Sequence, residues 1–311
     1  MNITGMGIVF AGGTGVSALR EALLAGKSLE AKTLEKEGVP VLVVPPAALA
    51  GNPVLAPARR ADRFCKMTLL AAMEAWQGCG ADPQRAGIIL ATAFGPHATV
   101  FRFVNEMLDF GDAKTSPTVF SQSVHAAAAS MIATAAGLHG PTLNLADLAL
   151  PFEEALTLAE CWLESGRCDS VLLGAADELS DVLAHVVRRK WPKKFVPGEG
   201  AVFFRLEREG GLRVSVGTEV SVDAACHLVD TEALGGDEAA LRERAEPAGA
   251  ALRSYSPFWG STRIGAAFHL AAAVLMRREG VLFAEAAPLA QGGIQIVSVC
   301  GTRRRVITVQ A

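Results

Sequence analysis

Apolar runs alternate with amphipathic stretches along the first two thirds of the chain, and this alternation restricts the possible folds more than any other feature. Residues 86–92 and 170–175 are apolar except for Thr92 and Ser170 at their ends, without the polar alternation of a half-exposed strand. Such runs are typical of strands buried on both faces of a parallel sheet. Helical spacing is predicted between them, over 98–109, 124–137 and 151–166. The sequence therefore predicts an α/β protein whose largely parallel sheets are covered by helices.

The same patterns predict the other elements. Asp62 is expected to cap a helix over 64–77. Gly137 is expected to end the helix over 124–137, and residues 26–61 are expected to be irregular. The remaining strands are predicted at 2–10, 142–146, 200–206, 212–222, 294–299 and 306–309, and the remaining helices at 16–25, 236–253 and 264–278. No linker composition separates two parts of the chain. We expect a first half over 1–206 and a shortened second half over 207–311, packed as one unit.

Composition excludes several classes of function. The net charge is −3 without a basic block, which argues against a nucleic-acid partner. No segment has the length and apolar content of a membrane span, and the beginning of the chain does not resemble a signal peptide. The 6 cysteines form no C-x-x-C pair, so we expect reduced, mostly buried thiols in a cytoplasmic protein. No metal-ligand spacing is present, and glycines 12, 13 and 15 do not follow the G-x-G-x-x-G spacing, so neither a metal nor a cofactor is predicted.

The run GPTLNLADLAL at 140–150 leads into a predicted helix, which gives a strand, a sharp turn and a helix with Ala149 at the turn. This arrangement resembles the nucleophile turn of β-ketoacyl synthases in the thiolase superfamily. Other segments resemble the same family in the same order: ITGMGIV at 3–9, Arg60 with DRF at 62–64, PTVFSQSVH at 117–125, GAADE at 174–178, PGEGA at 197–201 and SPFWGSTRIGAA at 256–267. The resemblance implies a duplicated thiolase fold, layered α-β-α-β-α and usually dimeric.

The resemblance also places the family's reactive positions. Ala149 stands where the family has its acyl-carrying cysteine, and Ser261 stands where it has a histidine. The run that carries the family's other histidine has no counterpart here. Because condensation needs a thiolate that accepts the acyl group, no condensing activity is expected. The pocket candidates are His125, Ser123, Asp147 and the bulky pair Leu150 and Phe152.

Three functional hypotheses follow. The first is a non-catalytic, chain-length-factor-like partner of an active ketosynthase in fatty-acid or polyketide-type biosynthesis, in a heterodimer or as a homodimer. The resemblance places its interface at Phe120, Ser121, Gln122, Ser123, Val124 and His125. The second is an acyltransferase or thioester hydrolase that uses His125, Ser123 and Asp147. The third is a module that binds an acyl carrier protein through a basic cluster, otherwise a solvated loop, at Arg188, Arg189, Lys190, Lys193 and Lys194.

Overall fold

The computed structural model describes residues 1–34, 38–78, 80–190, 195–230, 252–283 and 285–310. Its strands are β1 (Asn2–Phe10), β2 (Gly13–Thr14), β3 (Lys32–Leu34), β4 (Val39–Val41), β5 (Ala86–Thr92), β6 (Thr142–Ala146), β7 (Ser170–Asp177), β8 (Gly200–Glu207), β9 (Leu212–Gly217), β10 (Cys226–Asp230), β11 (Leu252–Arg253), β12 (Val281–Leu282), β13 (Ala287–Pro288), β14 (Ile294–Cys300) and β15 (Arg303–Gln310). Its helices are α1 (Val16–Ala25), α2 (Pro46–Leu49), α3 (Arg63–Trp76), α4 (His97–Phe110), α5 (Pro117–Ser123), α6 (Ala126–Ala136), α7 (Pro151–Glu164), α8 (Asp181–Lys190) and α9 (Gly265–Glu279).

Two sets of five strands repeat one topology. The first set has the order β6-β5-β7-β8-β1, and the second has the order β11-β10-β14-β15-β9. In each set the strand before the last, β8 or β15, is antiparallel to both of its neighbours, and the pairs β5–β6, β5–β7, β10–β11 and β10–β14 are parallel. The predicted duplication is therefore confirmed. The first set lies within residues 2–207 and the second within 212–310, so the second half is the shorter one, as predicted.

The two sets join into one continuous sheet. Strand β1 pairs antiparallel with β9 through Asn2 opposite Arg213 and Ile3 opposite Leu212. One core contains residues of α1, α7 and α9 together with strand residues of both sets. A second core lies on the other face of the first set, against α3 and α6. Helices α7 and α9 therefore lie between the two sets of strands.

Most of the predicted elements agree with the structure, and their ends have identifiable causes. The carboxylate of Asp62 accepts a hydrogen bond from the backbone N–H of Cys65 at 2.8 Å and caps α3. Gly137 ends α6 with a φ of 65°, a conformation that costs glycine little. Residues in β5 and β7 point alternately into the two cores, which explains why these strands carry no polar face.

Several expectations were wrong. The strand expected over 212–222 ends at Gly217. Residues 26–61 contain β3, β4, α2 and a 3₁₀ turn at Pro53–Leu55. The basic cluster was expected in a loop, but residues 188–190 belong to the last turn of α8. Residues 252–253 of the predicted helix over 236–253 form β11. The rest of that predicted helix lies outside the described residues. The thiols were expected to be mostly buried, and Cys161 on α7 is an exposed exception.

Candidate functional site

The turn at Ala149 lies at the carboxyl end of β6, where it leads into α7. The side-chain carboxylate of Asp147 accepts hydrogen bonds from the backbone N–H groups of Ala149 at 3.1 Å and Leu150 at 3.5 Å. Backbone N–H groups at the start of a helix would otherwise point at an incoming anion. Here a carboxylate of the same chain occupies them, and the side chain at the tip of the turn is a methyl group.

A hairpin of the second half reaches this turn. Arg303, at the start of β15, lies 4.0 Å from the Asp147 carboxylate and donates a hydrogen bond of 2.7 Å to the carboxylate of Glu154. Arg305 donates to the same Glu154 oxygen at 3.0 Å. Glu154 belongs to the first turn of α7, where a negative charge is favoured by the helix dipole. The two halves of the molecule are therefore linked by ion pairs beside Ala149.

The bulky residues of the turn differ in their environment. Leu150 and Phe152 are buried, and the Phe152 ring packs against Phe204 of β8 with 5.9 Å between ring centroids. Leu148 is 57% exposed. Within the turn, the apolar side chain that faces outward is therefore Leu148, which the sequence analysis did not select.

Two adjacent carboxyl groups at the end of β7 are buried behind the turn. Asp177 accepts hydrogen bonds from the Thr92 hydroxyl at 2.7 Å and the Phe94 backbone N–H at 2.9 Å, while burial raises its pKa to about 6. Glu178 accepts from the backbone N–H of Ala98 at 2.9 Å, and burial raises its pKa to about 8. Both carboxyl groups hold the segment between β5 and α4 in place.

His97 begins α4 and packs against the same segment. Its Nε2 atom lies 2.8 Å from the Ser180 hydroxyl, and its Nδ1 atom lies 4.0 Å from the Glu178 carboxylate. Burial lowers the pKa of His97. The imidazole therefore belongs to a polar cluster that connects α4 to the segment after β7.

A buried ion pair that sequence reasoning did not identify joins two widely separated motifs of the first half. Arg63, in the first turn of α3, pairs with Glu199, which is 1% exposed. Glu199 also accepts from the backbone N–H groups of Val44 at 2.8 Å and Leu179 at 2.9 Å. A buried charge with a cation and two backbone donors fixes the segments around it. The signal was present in the sequence, as the arginine of DRF and the glutamate of PGEGA.

The region around Ser261 is packed and bonded. Ser261 is 5% exposed and pairs with Val196 and Gly198 through backbone hydrogen bonds of 2.7 and 3.0 Å. His269 on α9 is fully buried, with Nδ1 3.0 Å from the Gly265 carbonyl and Nε2 accepting from the Tyr255 backbone N–H at 3.2 Å. The two nitrogens of His269 are thus used by the backbone, as expected for a packed histidine.

The predicted interface segment is mostly α5. Phe120 is 55% exposed and Val124 is 43% exposed, and Ser121 is exposed as well. Gln122 is buried and donates to the Arg60 carbonyl at 3.0 Å, and the Ser123 hydroxyl donates to the Phe120 carbonyl at 2.8 Å. A larger apolar surface continues from this segment onto α4.

His125 is exposed and lies against Gly95, where a Cβ atom would approach its ring to 2.6 Å. Gly95 has a φ of 60°, so both its backbone and its missing side chain suit glycine. The hydrogen bonds that the structure gives Ser123, His125 and Asp147 join none of the three to another. Their use as a reacting set stays a prediction.

The basic cluster is described only in part. Residues 188–190 end α8, where cations are favoured, and the Arg189 side chain is exposed. Lys193 and Lys194 lie outside the described residues, as do the side chains of Arg188 and Lys190. Carrier binding by this cluster stays a prediction.

Three further observations concern a surface groove, metal binding and membrane-spanning helices. A groove of about 590 Å³ lies between α5, α6 and the segment before α3. Among the described residues, no group of His, Cys, Asp and Glu side chains could hold a metal ion. No helix in the described part of the chain is long and apolar enough to cross a membrane.

With this geometry in place, comparison with known proteins is decisive for the family. A profile described as "Beta-ketoacyl synthase, N-terminal domain" matches residues 42–206. The chain belongs to the β-ketoacyl synthase family. The matched region contains the Ala149 turn, the Arg63–Glu199 pair and the α4–α5 surface. Among curated proteins, no match is found.

Solved structures of ketosynthases share the fold. The ishigamide ketosynthase/chain length factor superimposes with a TM-score of 0.79 at 18% identity, over 99% of this chain and 98% of that one. A β-ketoacyl synthase from Burkholderia phymatum STM815 gives 0.74 at 16% identity, over 99% and 98%. A type II PKS acyl-carrier protein in complex with its ketosynthase, AntDE:AntF, gives 0.72 at 16% identity, over 100% and 99%. The predicted thiolase-like ketosynthase fold is therefore confirmed, with structural similarity to a chain length factor.

Proposed function

We propose that this chain is a non-condensing, chain-length-factor-like subunit that pairs with an active ketosynthase in polyketide-type or fatty-acid biosynthesis. The observation that carries the proposal is the apolar surface of α4 and α5. Phe101, Met107, Leu108, Phe110, Phe120 and Val124 are each at least 40% exposed. Exposed apolar patches of this kind mark protein interaction sites.

The edge of the sheet supports pairing beside this surface. Strand β6 ends the first set and has one strand neighbour, β5, among the described residues. Its Asn144 side-chain oxygen is buried and has no hydrogen-bond partner in the described part of the chain. An open edge of unpaired backbone groups is a template for a strand of another chain. A partner that covers α4, α5 and β6 would bury the apolar surface and satisfy this edge.

The chemistry of the turn supports the absence of condensation. Covalent acyl transfer requires a nucleophile, and Ala149 offers none. Stabilisation of an oxyanion requires free donors, and Asp147 already accepts from the N–H of Ala149. We therefore expect that Ala149→Cys alone does not create a condensing enzyme, and that the thiol reacts with acyl thioesters only when Asp147→Ala is added, because alanine has no side-chain acceptor for the Ala149 N–H.

Co-purification with a ketosynthase encoded near this chain tests the pairing. The wild type is expected to form a stable complex, since a partner would bury these exposed apolar side chains. A double variant, Leu108→Asp with Phe120→Asp, places two charges in the interface and should weaken pairing at least tenfold. The matched control is Leu24→Asp on α1, a leucine that is 49% exposed and lies on another element.

Two outcomes contradict the proposal. A monodisperse homodimer that ignores every ketosynthase offered would show that the surface serves a second copy of this chain. A complex that tolerates the Leu108 and Phe120 charges as well as it tolerates the Leu24 charge would place the interface elsewhere. Analytical ultracentrifugation measures the complexes, and circular dichroism of the same samples distinguishes these results from a folding defect.

A further inference from the structure

The side chains of Ser180 and His97 form a hydroxyl–imidazole pair at one edge of the sheet. Atom Nε2 of His97 lies 2.8 Å from Oγ of Ser180, although the two residues are 83 positions apart. His97 follows β5 and Ser180 follows β7, and these neighbouring strands are parallel, so both residues lie at their carboxyl ends. Open α/β sheets build their ligand sites at this edge. The pair is within the reach of a serine nucleophile and its base, which is about 2.6–3.2 Å.

The hydrogen-bond partners of Ser180 favour transfer of its proton to His97. Oγ of Ser180 accepts a hydrogen bond from the backbone N–H of Leu183 at 3.4 Å, so the hydroxyl hydrogen can point toward the imidazole. Burial lowers the pKa of His97, with the Gly95 backbone opposing, and so favours the neutral ring that a general base needs. The hydroxyl is therefore a donor toward a basic nitrogen.

A carboxyl group lies on the far side of the imidazole ring. Nδ1 of His97 is 4.0 Å from the Glu178 carboxyl group, which the backbone N–H of Ala98 holds at 2.9 Å. Carboxyl, imidazole and hydroxyl thus follow one another in the order of a hydrolase triad. The contact of the carboxyl group with Nδ1 is longer than a hydrogen bond, as is common in catalytic sites without substrate.

The hydroxyl of Ser180 is reachable from solvent. Ser180 is half-buried, and the two residues that follow it, Asp181 and Val182, are exposed. Backbone N–H groups in the first turn of a helix have no acceptor within that helix, and Val182 belongs to the first turn of α8. A carbonyl group at Ser180 therefore lies near a donor that can stabilise its oxyanion.

Capping of α8 explains only part of this arrangement. Ser116 caps α5 through the same kind of bond, from the Val119 N–H at 3.4 Å. In the described part of the chain, the hydrogen-bond partners of Ser116 include no histidine. The imidazole beside Ser180 is therefore an addition to the cap and not a requirement of it.

We infer that Ser180 is the nucleophile of a serine hydrolase site in which His97 is the general base, and that its substrates are acyl esters or thioesters. Oγ of Ser180 attacks the carbonyl carbon while its proton passes to Nε2 of His97. The bond to the alcohol or thiol then breaks, and that group leaves with the proton. Water attacks the acyl-serine, gives a proton to the same nitrogen and releases the carboxylic acid, and Oγ regains the proton. The inference does not depend on the proposed pairing with a ketosynthase.

Labelling of the full chain with a fluorophosphonate probe tests the nucleophile. Intact mass spectrometry is expected to show one added probe, and peptide mapping should place it on Ser180. Ser180→Ala should abolish labelling, and His97→Gln should slow it by about a hundredfold or more. The matched control is Ser116→Ala, which removes an equivalent cap without a histidine and should label at the wild-type rate. Circular dichroism shows whether each variant is folded.

Turnover distinguishes the two substrate classes. Faster hydrolysis of p-nitrophenyl acetate than of phenyl thioacetate supports an esterase, and the reverse order supports a thioesterase. A wild type that neither labels nor hydrolyses either compound overturns the inference. Labelling that persists in folded Ser180→Ala assigns the reactivity to another residue, and equal losses in Ser116→Ala and Ser180→Ala reduce Ser180 to a helix cap.

Discussion

Helices α4 and α9 are nearly equal in length but have opposite relations to the core. Every residue from 265 to 276 of α9 is buried, whereas Thr99 is the one buried residue among the fourteen of α4, all of which are described. Apolar contacts hold α9. Polar contacts hold the first turn of α4, through the Ala98 N–H to Glu178 and the Thr99 hydroxyl to Asp62. Apolar residues on α9 therefore stabilise this chain, while those on α4 are available to a partner.

The largest effect is expected from emptying the core at α9. Phe268 is fully buried and stacks on Trp259 with 5.5 Å between ring centroids. Phe268→Ala should lower the free energy of unfolding by about 3–5 kcal/mol because it leaves a cavity. Urea denaturation measures the change. Phe110→Ala on α4, at a ring that is 62% exposed, should leave the urea midpoint nearly unchanged. Equal losses of unfolding free energy in the two variants would contradict the difference between the helices.

A pH dependence is expected from the anchor of α4. Burial raises the pKa of Glu178 to about 8, with Asp62 and Glu199 raising it further and Arg63 opposing. From pH 6.5 to 7.5 the folded state keeps this proton and the unfolded state does not, so stability falls as pH rises, by about 1 kcal/mol per pH unit. Glu178→Gln should flatten this slope in urea titrations, and Glu164→Gln, an exposed carboxyl on α7, should not. A slope that survives Glu178→Gln would assign it to another group.

A smaller effect is expected from the second anchor. The Thr99 hydroxyl donates to the Asp62 carboxylate at 2.6 Å. Thr99→Val keeps the shape and removes this donor, which should cost about 1 kcal/mol. Thr134→Val on α6, which removes an exposed hydroxyl bonded to the Ser130 carbonyl, is the control. Thermal unfolding compares the stability of the two variants. A Thr99→Val variant as stable as the wild type would show that α4 is held without this bond.

The smallest change in stability is expected on the surface of α4. Leu108 is 75% exposed, so Leu108→Ser should alter the free energy of unfolding by less than about 0.5 kcal/mol. The same variant should bind less of a hydrophobic dye and self-associate less at high concentration, which fluorescence and light scattering report. A destabilised Leu108→Ser variant would mean that α4 contributes to the fold of the isolated chain, contrary to the comparison.

The sequence predicted the elements with strong periodicity and much of the family's motif order, because buried strands such as β5 and α/β alternation leave local patterns. It could not predict contacts between distant segments. The pairing of Arg63 with Glu199 depends on the tertiary packing of the first half, and the reach of Arg303 to Glu154 depends on how the halves dock. The end of β9 at Gly217 was missed because alternation continues beyond the last paired residue, and α8 was missed because its charges masked its helical spacing.

The position of β1 in the sheet has a consequence for synthesis of the chain. Thr4 of β1 donates to the Arg205 carbonyl of β8 across 201 residues, and β9, which also pairs with β1, follows later still. At typical translation rates, about 10–40 s pass before these neighbours leave the ribosome. During that interval these strands cannot yet cover β1, whose side chains Ile3, Ile8 and Phe10 are fully buried in the folded chain. Because folding with such high contact order is slow, we expect the apolar side chains of β1 to stay uncovered during much of synthesis.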